Sequence, residues 1–138
     1  MPSETFCLRY AYIMEQYQFI EENLEKLYAA ISKKPYIIGL QDVDKSPLPA
    51  IVKAIQKIEK EQNITVFTTA EYEVLFQVIR RRNFWSHECF TKLLFNKNGA
   101  LKYPEDRFRM EEDIRQAEEW REKIFKKQIE MWCKTKTI

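Results

Sequence analysis

Apolar residues return every three or four positions through the first thirty residues of the chain: Phe6, Tyr10, Ile13, Tyr17, Ile20, Leu24, Leu27 and Ile31. That period traces one face of an α-helix, so a long amphipathic helix is expected from Ser3 to about Lys33, with Glu21, Glu22, Glu25 and Lys26 on its outer side. Pro35 ends it. The stretch from Tyr36 to Pro49 holds Gly39, two aspartates and two prolines, and it reads as a connection with a short extended piece at 36–40. A second, shorter helix is expected near Pro49, a favoured first-turn residue, carrying Ile51, Ile55 and Ile58 as far as Gln62 and Asn63. The β-branched and aromatic residues at 64–67 suggest a second short extended segment.

Thr68 is followed three places later by Glu71, the spacing of a capping box, so a third helix begins near Thr69. Its apolar positions Leu75, Val78 and Ile79 lead into the stretch RRRNFWSHECF at 80–90, and the helix is expected to end near Leu94, before the turn signal Asn96-Lys97-Asn98-Gly99. Pro104 opens a fourth helix with Glu105 and Asp106 in its first turn and lysines in its last turns, the charge order a helix dipole favours. Phe108, Ile114, Ala117, Ile124, Phe125 and Trp132 are expected on its apolar side. The pattern implies one all-α domain over residues 1–138, an antiparallel bundle of four main helices.

Composition supports that class. The 138 residues include only two glycines and five prolines, with 45% apolar residues, which argues against disorder and against turn-rich β folds. The 23 basic and 21 acidic groups leave a formal charge of +2, so contact with nucleic acid must rest on local clusters. Cys7, Cys89 and Cys133 are odd in number and widely spaced, which suits a reduced, cytoplasmic setting and offers no metal cluster. No apolar run approaches the ~18 residues of a membrane span.

The one histidine, His87, lies within the basic stretch. On an α-helix Asn83 and His87 are separated by about 40 degrees around the axis, so both address one small volume. Arg82 is about 140 degrees from His87, and must reach across with its stem, lie on a distorted turn, or serve a site completed by a second chain. An imidazole that exchanges protons near neutrality, beside guanidinium groups that hold phosphate oxygens, has the parts for phosphodiester cleavage. RNA is the apt substrate, because its 2'-hydroxyl is an internal nucleophile and the reaction needs no metal or other cofactor. Arg80, Arg81 and Lys92 add local positive charge for phosphate contact. Phe84, Trp85 and Phe90 read as core or interface residues rather than base-stacking platforms, and Cys89 as a small buried hydrophobe.

Arg82-Asn83-Phe84-Trp85-Ser86-His87 has the R-N-x-x-x-H form and resembles the R-x(4-6)-H signature of HEPN domains, small helical bundles that carry this motif on or beside an internal helix. The resemblance implies that Arg82 and His87 form the catalytic pair of a metal-independent endoribonuclease, with Asn83 as a positioning group. It also implies a homodimer whose two motifs face one cleft, a toxin-antitoxin or phage-defence setting, and an antitoxin protein as a partner. The alternative is a helical module that binds RNA, nucleotide or a protein without cutting.

Overall fold

The computed structural model describes residues 1–136, which form an all-α bundle with no strand. The helices are α1 (Glu4–Ile31), α2 (Tyr36–Val43), α3 (Leu48–Gln62), α4 (Thr69–Asn83), α5 (Cys89–Lys92) and α6 (Pro104–Thr135), with a π-helical turn, Phe84–Glu88, between α4 and α5. Ser3 caps α1 by accepting from the Phe6 amide, and Pro104 lies in the first turn of α6. At the start of α4 the Thr68 hydroxyl accepts from the Glu71 amide while the Glu71 carboxylate accepts from the Thr68 amide, so the capping box is complete.

The core runs the length of α1. Ile13, Ile20, Leu24, Leu27 and Ile31 are buried against Ile51, Val52 and Ile55 of α3, Leu75 and Val78 of α4, and Ile114, Ala117 and Ile124 of α6. Burying side chains of this size contributes ~1.5–3 kcal/mol each before conformational entropy is set against it. On α6 the buried stripe is Met110, Asp113, Ile114, Ala117, Trp120, Ile124, Gln128 and Met131. Phe108, Phe125 and Trp132, expected on that face, are instead exposed. Two polar residues stand inside the stripe, which obscures its period in the sequence.

Two expected extended segments are absent. Residues 36–40 belong to α2: the chain turns at Pro35, whose carbonyl accepts from the Gly39 amide, and Gly39 then lies against Ala29 of α1. A Cβ at Gly39 would stand 2.9 Å from the Ala29 Cα, so the missing side chain is what lets α2 pack this closely. Residues 64–67 form an irregular link in which the Val66 amide donates to the Glu59 carboxylate. The third predicted helix also departs from expectation, because it widens at Phe84 and stops at Lys92, where Leu93 becomes extended.

Gly39 of α2 lies against Ala29 near the end of α1, and Gln62 at the end of α3 donates to the Ile31 carbonyl at the end of α1, so α3 runs in the direction of α1. The contacts Arg9 to Glu111, Gln16 to Arg121 and Ala30 to Thr135 ascend together, so α1 and α6 run parallel. The contacts Glu71 to Lys123 and Arg81 to Asp113 run in opposite senses, so α4 is antiparallel to α6. Before α6, the turn at 96–99 brings Phe95 and Leu101 into a single antiparallel bridge. Gly99 has φ 79°, and its carbonyl accepts from the Ser3 amide at 2.7 Å, which anchors the start of α1 to this turn.

Candidate functional site

The R-N-x-x-x-H stretch lies where α4 gives way to the π turn. Within that turn the Cys89 amide donates to the Phe84 carbonyl, five residues back, rather than to the Trp85 carbonyl that an α-helix would use. The relieved Trp85 carbonyl accepts instead from the Tyr10 hydroxyl at 3.1 Å and from the Cys89 thiol at 3.3 Å. Burial, with Cys89 nearby, pushes the Tyr10 phenol above its ordinary value, so the hydroxyl stays a donor well into alkaline solution. A five-residue turn winds less per residue than an α-helix and closes part of the 140-degree offset between positions 82 and 87. Of the three routes open to Arg82 from sequence, the distorted turn is therefore present.

The side chains divide by role. Trp85 is 1% exposed and anchors the turn, its Nε1–H donating to Asp113 Oδ2 at 2.9 Å. Cys89 is buried, and burial raises its thiol pKa, which fits a small core residue rather than a nucleophile. Phe90 is half exposed and sets its ring edge-on to Phe6 and Tyr10. His87 faces solvent and, among the described residues, has no hydrogen-bond or ion-pair partner. Next to it in sequence the Ser86 hydroxyl is buried without a partner.

Arg82 and Asn83 are brought together, with Arg82 Nη1 donating to Asn83 Oδ1 at 3.2 Å. The same guanidinium donates through Nη2 to Glu21 of α1 at 3.4 Å. Arg82 is thus shared between the motif and an acidic patch, where burial and then the neighbouring Glu21 raise the pKa of Glu25. Arg80 is exposed, and Lys92 lies 3.8 Å from Glu88 across one helical turn. Arg81 carries a structural duty: its Nε donates to Asp113 at 2.7 Å and its guanidinium lies 4.4 Å from the centre of the Phe84 ring.

Asp113 escaped sequence reasoning. It is 3% exposed and receives Arg81, Arg109 at 3.2 Å and the Trp85 indole, so one carboxylate ties α4, α6 and the π turn together. A carboxylate at an apolar register position of α6, four residues after Arg109, is the only sequence trace of it. Among the described residues no group of three metal-ligating side chains is assembled, and no helix is long and apolar enough to cross a membrane. No family model, no curated protein and no solved structure matches this chain.

Proposed function

We propose that the protein is a metal-independent endoribonuclease of HEPN type. The observation that carries the reading is the solvent-facing His87 on a π-helical turn whose preceding residues, Arg82 and Asn83, are hydrogen-bonded to each other. π turns recur at functional sites because they free backbone groups and re-aim side chains at a cost to the helix. In this reading His87 takes the proton of a 2'-hydroxyl, whose oxygen attacks phosphorus. The bond to the 5'-oxygen breaks, and that oxygen leaves with a proton from an imidazolium or from water. Arg82 neutralises charge on the phosphorane oxygens, and Asn83 holds Arg82 in register. The products are a 2',3'-cyclic phosphate and a 5'-hydroxyl.

The motif's single imidazole makes a homodimer with two facing motifs the fitting assembly, since a cleft on a two-fold axis supplies a second His87 and a second Arg82. The odd number of cysteines fits the reduced cytoplasm. A toxin-antitoxin or phage-defence role, with an antitoxin as partner, follows from the resemblance. One observation favours the alternative of a binding module that does not cut: Arg82 is paired with Glu21 and so partly neutralised.

Purified protein incubated with cellular RNA and EDTA separates the readings. The nuclease gives chelator-resistant cleavage with cyclic phosphate ends, lost in His87→Ala and reduced at least ~100-fold in Arg82→Ala. Equal products from all three proteins would sink it.

A further inference from the structure

We infer that the cavity between the C-terminal half of α4 and the first half of α6 is a subsite for an RNA phosphate next to the scissile one. This rests on the RNA-cleaving reading above. The cavity has a volume of about 330 Å³ and is lined by Arg80 and Arg81 from α4 and by Arg109 and Arg115 from α6. Glu112 and Asp113 are the carboxylates at its wall. Four guanidinium groups against two carboxylates leave an excess of positive charge in a concave site, where field lines converge.

Their geometry favours an anion more than the count does. Asp113, buried beneath the cavity, takes Arg81 through Nε and Arg109 through Nε. Among the described residues Arg81 has no other side-chain hydrogen bond and the half-exposed Arg109 has only this ion pair, so the paired terminal amino groups of both remain available, the Arg81 plane being held by the carboxylate below. Arg81 is held further by the Phe84 ring. A phosphodiester offers two non-bridging oxygens that share its negative charge, at the spacing such forks accept, and a plane fixed beforehand loses little entropy on binding it. Among the described residues Arg80 has no ion pair and Arg115 has only an exposed contact with Glu119 at 3.1 Å, so each is free to close over an incoming anion.

The cavity is also linked to the motif through Asp113. Asp113 receives the Trp85 indole as well as Arg81, so the floor of the cavity is bonded directly to the π turn that presents His87. An RNA strand with one phosphate at Arg82 and His87 has a neighbouring phosphate to place, and this cavity is the cationic recess bonded to that turn.

The test uses His87→Ala, so that RNA is not consumed, and follows anisotropy of a fluorescein-labelled single-stranded RNA across KCl concentrations. Arg80→Gln and Arg115→Gln, neither of which touches the buried Asp113, are expected to weaken binding ~5- to 10-fold each and to lower the salt slope by about one each. Lys57→Gln on α3, a control of equal charge change, is expected to leave both unaltered. Thermal melting unchanged in the arginine variants keeps the effect on binding. Affinity equal in the arginine variants and their parent, an equal loss in the α3 control, equal affinity for polyglutamate, or no RNA binding at all would each overturn the subsite. Cleavage that survives His87→Ala in the separate activity assay overturns the catalytic reading and leaves the binding comparison standing.

Discussion

In the proposed nuclease, Glu21 would govern how much of the Arg82 charge reaches the RNA phosphate. The two side chains are 27% and 31% exposed and 3.4 Å apart, a pair of the half-solvated kind worth ~0.2–1 kcal/mol. A phosphate that takes Arg82 must compete with that carboxylate. Glu21→Gln is therefore expected to lower KM for RNA by ~2- to 5-fold with little change in kcat, measured by steady-state cleavage of a labelled oligonucleotide. A fall in kcat with KM unchanged would show instead that Glu21 holds Arg82 in its working position. Asp113 is the opposite case, buried and three times bonded. Asp113→Ala leaves Arg81 without its anion and the indole without its acceptor, and is expected to lower stability by about 3–5 kcal/mol in urea unfolding. At this scale the sequence was legible for the polar members of the motif, which follow one another in the chain. Glu21 and Asp113, which pair with Arg82 and Arg81 from 61 and 32 residues away, were not, because only the fold brings them there.

The π turn joins these residues into an element, and Tyr10 holds it open. An α-helix would return the Trp85 carbonyl to the Cys89 amide; the Tyr10 hydroxyl occupies that carbonyl instead. Tyr10→Phe removes a hydrogen bond worth about 1 kcal/mol, so buried Cys89, whose thiol donates to the same carbonyl, is expected to react about five times faster with iodoacetamide, while exposed Cys7 keeps its rate. Mass-resolved labelling reads both sites in one sample. At the other end of α4, hydrogen bonds from Lys123 and from the Thr68 amide hold the Glu71 carboxyl below its ordinary range. A lowered folded-state pKa gives stability that is present above the unfolded value and lost as pH falls through the folded one. Glu71→Ala should accordingly cost about 1 kcal/mol at neutral pH, and the deficit should vanish as thermal melts are taken below the ordinary carboxylate range. The ends of this helix show what local sequence reveals. The capping box at Thr68 and the first-turn Pro104 are short-range signals and lie where expected. The π turn and α2 are not short-range: one depends on a tyrosine 75 residues earlier, the other on Gly39 meeting Ala29.

For the whole molecule, helix direction bears on assembly. With α1 and α6 parallel and α4 running against both, the His87 turn lies toward the same end of the bundle as the start of α1, close enough for Tyr10 to reach it. Half-exposed Phe90 and Leu94 flank the motif there, an apolar margin of the kind a second copy covers. Arg82 turns toward Glu21 while His87 faces solvent, so if two copies pair as proposed, the guanidinium of one chain is placed to meet the imidazole of the other. That geometry predicts complementation. Arg82→Ala and His87→Ala proteins, the first at most about 1% active and the second inactive, are mixed, denatured together and refolded so that half of the dimers are mixed pairs. If each site takes Arg82 from one chain and His87 from the other, every mixed dimer keeps one intact site, and about a quarter of wild-type activity returns. If both groups serve within one chain, no mixed dimer has an intact site and the mixture gains no activity. Light scattering on the same samples supplies the control: a dimeric mass with no recovered cleavage assigns the site to a single chain, whereas a monomeric mass removes the shared cleft.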